Sequence, residues 1–320
     1  MNERKLISIV TPCYNEEDNV EACYQAVRDL FDNELSAYDF EHIFCDNAST
    51  DDTESRLRDL AGRDKRVRVI LNSRNYGAFP SLFNGILATK GDAVLLFLPA
   101  DLQDPPELIP EFVRRWEEGY EVVYGIRKNR EESFPLRSIR KIYYRIVNRL
   151  SEITLPLDVG EFQLVDRKVA QALRQFNDYF PYLRGIVASC GFKRIGIEYT
   201  WKKRERGKSK VNLYGLLEIG INGIISFSKV PLRLCVFLGF LLSGASILYA
   251  LGSLLVMVVH KILYDTPIAP KGIPTIIVGM SLLFGIQLFF LGVLGEYIGA
   301  IHSQVRKGPL VIERERLNFD

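Results

Sequence analysis

The chain has 320 residues, 48% of them hydrophobic, and a formal net charge of +2, too small a surplus to indicate a nucleic-acid partner. Cys13, Cys23, Cys45, Cys190 and Cys235 show no Cys-x-x-Cys or His/Cys ligand spacing, which points to reduced thiols without a metal. Two long uncharged runs in the C-terminal third exclude an ordinary soluble enzyme.

In chain order, residues 6–10 form a short apolar run that reads as a strand, and residues 20–30 place Val20, Cys23, Tyr24, Val27 and Leu30 on one helical face. A second strand is expected over 40–45, a helix over 53–60, a third strand over 67–71 and a helix over 78–89. Residues 93–98 are apolar throughout, as in a strand buried on both faces. This alternation predicts an α/β domain with a mostly parallel sheet, whose sites gather at the carboxyl ends of the strands.

Three polar loops fall at those ends. The first strand empties into Thr11-Pro12-Cys13-Tyr14-Asn15-Glu16-Glu17, the second into Asp46-Asn47-Ala48-Ser49-Thr50-Asp51, and the fourth into Pro99-Ala100-Asp101-Leu102-Gln103-Asp104. On one sheet edge they would make a crevice of nucleotide size. The chain has no Gly-x-Gly-x-x-Gly after the first strand and no phosphate-binding Gly-rich loop of the ATPase type. A diphosphate is then better handled through a divalent cation, for which Asp101 and the Gln103 amide oxygen are suitable hard ligands.

Further along, residues 139–150 combine an apolar face with Arg140, Lys141, Arg145 and Arg149, and residues 213–228 form a second amphipathic stretch. Both could lie at a lipid surface or pack within the domain. Residues 234–259 and 272–295 carry no charge, and at 26 and 24 residues each could span a bilayer. Residues 260–271 between them, with Pro267 and Pro270, read as a tight extracytoplasmic turn. Lys and Arg concentrate before the first run and after the second, which predicts that the N-terminal domain and both termini are cytoplasmic. No cleavable leader is expected ahead of the first strand. The expected plan is a catalytic domain over 1–211, a juxtamembrane amphipathic helix over 212–231, a transmembrane hairpin over 232–300 and a cytoplasmic tail over 301–320. Gly239, Gly244, Gly252, Gly279, Gly285 and Gly292 suit close helix contact in lipid and make a homo-oligomer plausible.

Taken together, TPCYNEE, FCDNASTD and FLPADLQDPPE resemble the GT-A family 2 glycosyltransferases. With GIRKN, DVGEFQLVDR, RERGKSK and FSKVPLR added, the chain is similar to the polyprenyl-phosphate glycosyltransferases, relatives of dolichyl-phosphate mannose synthase and the bactoprenol glucosyl transferases, over roughly residues 5–300. The resemblance implies a UDP- or GDP-sugar donor, a polyprenyl phosphate acceptor and a place in a bacterial inner membrane. It also implies that Pro12, Tyr14, Glu16 and Asp46 line the nucleotide pocket and that Asp101 and Gln103 hold Mg²⁺ or Mn²⁺ against the donor diphosphate. Arg127 and Arg140 would meet the acceptor phosphate, with Arg137 one turn from the latter. Arg204, Ser209 and Lys210 match a basic loop that can close over phosphates.

Asp158 opens the segment with Gly160, Phe162, Leu164 and Arg167, and is the candidate carboxylate near the reacting centre, orienting the donor sugar or assisting the acceptor. Resemblance to the glucosyl transferases favours UDP-glucose, and a direct displacement would invert the anomeric carbon. A phosphate acceptor, with a second pKa near about 6, needs no strong general base.

The chain departs from the family at three places. Pro99 stands where relatives carry the first Asp of Asp-x-Asp, so the metal is held by Asp101, Gln103, donor oxygens and water, or is held more weakly. Trp201 replaces a common Arg, and Asn47 replaces a second Asp in the nucleotide loop. Competing readings are a family 2 transferase with a glycan hydroxyl acceptor, for which the usual Gln-x-x-Arg-Trp is absent, a lipid-linked-sugar transport component, and a noncatalytic scaffold.

Overall fold

A computed structural model describes residues 4–129, 159–176, 178, 181–201, 230–264, 273–305 and 308–319. Asp158, Arg140, Arg204, Ser209 and Lys210, the amphipathic stretch 139–150 and residues 212–229 lie outside the described residues.

The first two-thirds of the chain alternate as the apolar periodicity predicts. Strands β1 (Leu6–Cys13), β2 (Asp39–Asp46), β3 (Val67–Asn72) and β4 (Ala93–Leu95) alternate with helices α1 (Val20–Asn33), α2 (Thr53–Arg63) and α3 (Ala78–Leu87). After α4 (Ile109–Glu117) follow β5 (Val122–Asn129), β6 (Val159–Asp166), α5 (Arg167–Leu173), α6 (Leu183–Ser189) and β7 (Arg194–Thr200). Two long helices, α7 (Val230–Tyr264) and α8 (Ile273–Val305), precede a last strand, β8 (Glu313–Leu317). The eight strands form one sheet in the order β7-β5-β6-β4-β1-β2-β3-β8.

The centre, β4-β1-β2-β3, is parallel, so β1 to β4 deliver their carboxyl ends to one edge. On one flank β6 runs antiparallel to β4 and to β5, while β5 and β7 are parallel; on the other, β8 closes antiparallel to β3. The fully apolar run 93–98 pairs as a strand only over Ala93–Leu95, after which single backbone bonds from Leu96 to Gln163 and from Leu98 to Val10 carry it along the sheet.

One face of the sheet packs against α1, α2 and α4 through a core that includes Ile7, Ile9, Phe44, Leu57, Phe112 and Phe162. On the other face α3 comes so close that a Cβ on Gly85 would stand 2.4 Å from the Cys45 sulfur and 2.7 Å from Val10. Only glycine permits that approach.

His42 is wholly buried in β2, with Nε2 2.8 Å from the Thr11 hydroxyl and its ring stacked on Phe44. Burial lowers its pKa to about 3. The unfolded imidazole titrates near about 6.5. Between those values the unfolded chain takes a proton that the folded chain refuses, so stability falls as pH drops from about 6.5 towards 3. At pH 4 this site is expected to cost about 3 kcal/mol relative to neutral pH. His42→Gln should flatten the acid limb of Tm against pH, and an unchanged limb would remove His42 as its cause.

Contacts divide the chain into two compact units, one holding the eight-stranded sheet and the other α7 and α8. Both long helices outrun the uncharged sequence runs they contain, because helix continues through polar residues such as Arg233, Lys261 and Glu296. Among the described residues one stretch, Leu283–Val305, is long and apolar enough to cross a membrane. The expected tail over 301–320 is more structured than its sequence suggests, since residues 313–317 are an edge strand of the sheet.

Candidate active site

At the carboxyl ends of the parallel strands a cavity of about 600 Å³ opens between the loops. Pro12 reaches it from the end of β1, Tyr14 and Glu16 from the loop that follows, Asp101 and Gln103 from the β4 loop, and Arg127 from β5.

The first two loops are fastened to each other. Asn15, in left-handed backbone at φ 53°, accepts from the Thr50 amide at 2.7 Å and donates its own amide to the Ser49 hydroxyl at 2.9 Å. The Glu16 amide donates to the Thr53 hydroxyl at 2.8 Å. Asp46, expected in the pocket wall, is fully buried and is not among the residues lining the cavity. Its carboxylate instead accepts from the Ser49 amide and hydroxyl and shapes the loop. Burial raises its pKa, and the two Ser49 bonds pull the other way.

A third loop, after β3, joins the wall through Asn75, Gly77 and Ala78. Asn47 organises it. Its Nδ2 donates to Asn75 Oδ1 at 2.9 Å, while its Oδ1 accepts from Asn72 Nδ2 at 3.1 Å and from the Tyr76 amide at 3.0 Å. The Asn75 oxygen also takes the Gly77 amide at 2.8 Å, and Gly77 sits at φ 90°. A carboxylate at position 47 could not donate to Asn75, so an amide at this position serves the network.

In the β4 loop the Leu102 amide donates to Pro99 O at 3.0 Å, which makes Pro99 the first residue of a tight turn. Leu102 has φ 54°, a left-handed conformation rare for a branched side chain. The turn brings Asp101 and Gln103 to the cavity together, with the Gln103 amide donating to Asp101 Oδ1 at 3.3 Å.

Arg127 lines the cavity, and one edge of its guanidinium is engaged within the protein. Its Nε and Nη2 donate to the two oxygens of Asp104 at 3.2 and 2.8 Å, and Nε also reaches the Tyr199 hydroxyl at 3.0 Å. The Tyr199 hydroxyl in turn donates to Asp104. Burial and the Asp104 charge both push the Tyr199 pKa up, so the phenol keeps its proton. The Nε–Nη2 edge of Arg127 is taken by a carboxylate that is only 1% exposed, and its bonds leave the Nη1 side of the guanidinium to face other acceptors. Two glycines make room for this triad: a Cβ on Gly160 would lie 2.9 Å from Arg127 Nη2, and one on Gly125 2.6 Å from the Tyr199 ring.

Trp201 also lines the cavity, with its ring centroid 5.7 Å from the Arg127 guanidinium carbon. Glu161 reaches it from β6, paired with Arg184 at 2.9 Å. Asp104, Glu161, Asn72 and Asn75 were not singled out by the sequence. A Gly-rich approach such as Gly125 and Gly160 is the nearest local signal, and it does not say what approaches.

The family model for glycosyl transferase family 2 matches residues 8–174, the stretch that supplies all four loops and β5 and β6. A Bacillus subtilis protein described as an uncharacterized glycosyltransferase, YkcC, is 37% identical over 98% of this chain and 94% of its own. The bactoprenol glucosyl transferase of Shigella phage SfX is 33% identical over 97% of this chain and 99% of its own. A more distant likeness is to a mannosyltransferase, PcManGT from Pyrobaculum calidifontis, at 15% identity and TM-score 0.49 over 70% of this chain and 63% of that one. The chain belongs to glycosyl transferase family 2. It is an enzyme that transfers a sugar, on a GT-A-like α/β fold with a mixed, mostly parallel sheet.

Proposed function

We propose that the chain transfers a hexose, glucose foremost, from a UDP-sugar to a polyprenyl phosphate of the undecaprenyl type at the cytoplasmic face of a bacterial inner membrane. The observation that carries this reading is the single cavity in which the loops after β1, β2, β3 and β4 converge on Asp101 and Gln103. Similarity to the phage bactoprenol glucosyl transferase along the whole chain, α7 and α8 included, supports the lipid acceptor and the sugar.

The donor set fits a hard divalent cation. A carboxylate, Asp101, and an amide side chain, Gln103, both line the cavity, and Mg²⁺ or Mn²⁺ commonly takes one or two carboxylates and completes its shell with substrate phosphates. Among the described residues no three His, Cys, Asp or Glu side chains form a ready metal group. Asp101 and Gln103 would hold such a cation, which would supply neutralisation of charge on the departing nucleoside diphosphate.

The protein supplies position. In this reading Asn47, Asn75, Pro12, Tyr14 and Glu16 serve the nucleotide, while Glu161, Trp201 and Arg127, the last held by Asp104, serve the acceptor; all of them line the one cavity. Arg127 then acts chiefly by shaping the acceptor end, with Arg140, Arg204, Ser209 and Lys210 as further phosphate partners and Asp158 as the carboxylate near the reacting centre. The acceptor phosphate attacks opposite the leaving diphosphate and inverts the anomeric carbon.

The membrane reading is a hairpin of α7 and α8. Strand β8 follows α8 yet belongs to the same sheet as β1 to β7, and a sheet cannot be divided by a bilayer. If Leu283–Val305 crosses a bilayer, the chain between β7 and β8 would have to cross an even number of times, and α7 is the apolar candidate for the second span. We infer a catalytic unit of residues 1–211 completed by the C-terminal strand, a juxtamembrane segment over 212–231 and a hairpin over 232–300. This reading includes self-association of α7 and α8 through small residues such as Gly239, Gly244, Gly279 and Gly285.

The test is transfer by purified enzyme from UDP-glucose, UDP-galactose, UDP-N-acetylglucosamine and GDP-mannose to undecaprenyl phosphate, with Mg²⁺, Mn²⁺ or chelator. UDP-glucose with metal is expected to give a β-linked glucosyl phosphate, read from the anomeric NMR coupling. An α-linked product from the α-linked donor would overturn the single displacement. Transfer to a glycan but not to the lipid phosphate would overturn the acceptor.

A further inference from the structure

The strand that closes the sheet ends beside the cavity wall. β8 pairs with β3 at Val69↔Leu317, Ile70↔Arg316 and Leu71↔Glu315, then shifts register before Asn72↔Glu313. Beyond that irregularity the Ile312 carbonyl accepts from the Ser73 amide at 2.9 Å, at the start of the loop that carries Asn75 and Gly77 to the cavity. The next residue, Glu313, accepts from Asn84 Nδ2 at 2.6 Å. Asn84 lies on α3, whose first residue, Ala78, is also in the cavity wall.

The loop over residues 73–77 is therefore held from two sides. Asn47 grips Asn75 and Tyr76 from the second nucleotide loop, and Ile312 and Glu313 hold Ser73 and α3 from the C-terminal strand. At its other end β8 is secured independently, since Asn318 Nδ2 donates to Ala61 O and Val67 O at 2.8 Å each. Arg58 pairs with Glu315 along its length, and Val311 is buried. An ordinary edge strand needs only pairing along its ladder; this one adds bonds to the loop and helix that form the donor side of the cavity.

We propose that residues 311–313 are a positioning element of the nucleotide-sugar pocket, fixing the β3–α3 loop and the start of α3 from outside. This rests on the reading that the cavity takes a nucleotide sugar. Loss of the Glu313–Asn84 bond should let Asn75, Gly77 and Ala78 drift, which weakens donor binding and leaves the acceptor end untouched.

The test uses the full chain with Asn84→Asp, Glu313→Ala, Glu313→Gln and the double variant N84D/E313Q. Asn84→Asp sets two carboxylates against each other, whereas in the double variant a glutamine amide can donate to the new aspartate. N84D and E313A are expected to raise the KM for UDP-glucose about fivefold, about 1 kcal/mol, with kcat and the acceptor KM within about twofold. E313Q, which keeps an acceptor for Asn84, should stay near wild type, and the double variant should return to within about twofold. Amide hydrogen exchange at residues 73–78 should quicken in N84D and E313A and recover in the double variant. An unchanged donor KM together with unchanged exchange in both single variants, or a double variant that fails to recover, overturns the proposal. If wild-type enzyme shows no transfer from any nucleotide sugar, the functional reading fails by itself. The exchange data, collected with and without UDP and Mn²⁺, still decide whether residues 311–313 hold the loop.

Discussion

Replacing Asp101 with asparagine is expected to lower kcat for sugar transfer by about 10²–10³-fold, the loss usual for removing a group that stabilises developing charge. The substitution is a narrow one. Asparagine keeps the volume and the oxygen that accepts the Gln103 amide, so the turn from Pro99 to Leu102 should stand. What disappears is the negative charge that would hold a divalent cation against the donor diphosphate. Because Pro99 carries no carboxylate, no neighbouring aspartate on this turn can take over before Asp104, and Asp104 is committed to Arg127. UDP binding should lose its Mn²⁺ dependence in a calorimetric titration while metal-free UDP binding changes little. Activity within tenfold of wild type would sink the assignment of Asp101 to the metal.

Asp104→Asn is expected to be the most destabilising single change at the site, at about 3–5 kcal/mol, because it strands a guanidinium in a buried place. Arg127 is only 16% exposed along its side chain and Asp104 1%. An amide offers one oxygen and no charge to an arginine that now receives two carboxylate oxygens, and its NH₂ would face the Arg127 donors. For a domain of this size the loss corresponds to a fall in Tm of roughly 6–15 °C. Tyr199→Phe removes one hydroxyl from the same triad and should cost about 1–2 kcal/mol. Replacing both charges, as in Arg127→Met with Asp104→Leu, should recover much of the stability without recovering activity. A D104N protein that melts within about 2 °C of wild type would show that Arg127 is not held by this pair.

The contrast between these two aspartates shows how far local sequence reaches. Asp101 is legible because it ends an apolar strand in a turn-rich loop, a pattern contained in a dozen neighbouring residues. Asp104 lies three residues on and looks like more of the same loop. Its meaning depends on Arg127, 23 residues away, and Tyr199, 95 residues away, and nothing local encodes that meeting. The same holds for Asn47, whose partner Asn75 is 28 residues distant, and for the Glu161–Arg184 pair. For Asp46 the position in the loop is local, but its burial beneath Ser49 is not.

The sequence by itself determined the alternation of strands and helices, the parallel centre of the sheet, the loops at its carboxyl edge and the two apolar helices. Each of these follows from hydrophobic periodicity, turn chemistry or run length within a short window. Only the tertiary structure decided that Glu313–Leu317, a strand reading Glu-Arg-Glu-Arg-Leu with no apolar alternation, completes the sheet. It is a strand because the edge of β3 offers unpaired backbone groups and because Glu54, Arg58 and Asn84 stand where its charges need partners. Those conditions are set by residues more than two hundred positions upstream, so the local pattern could not announce them.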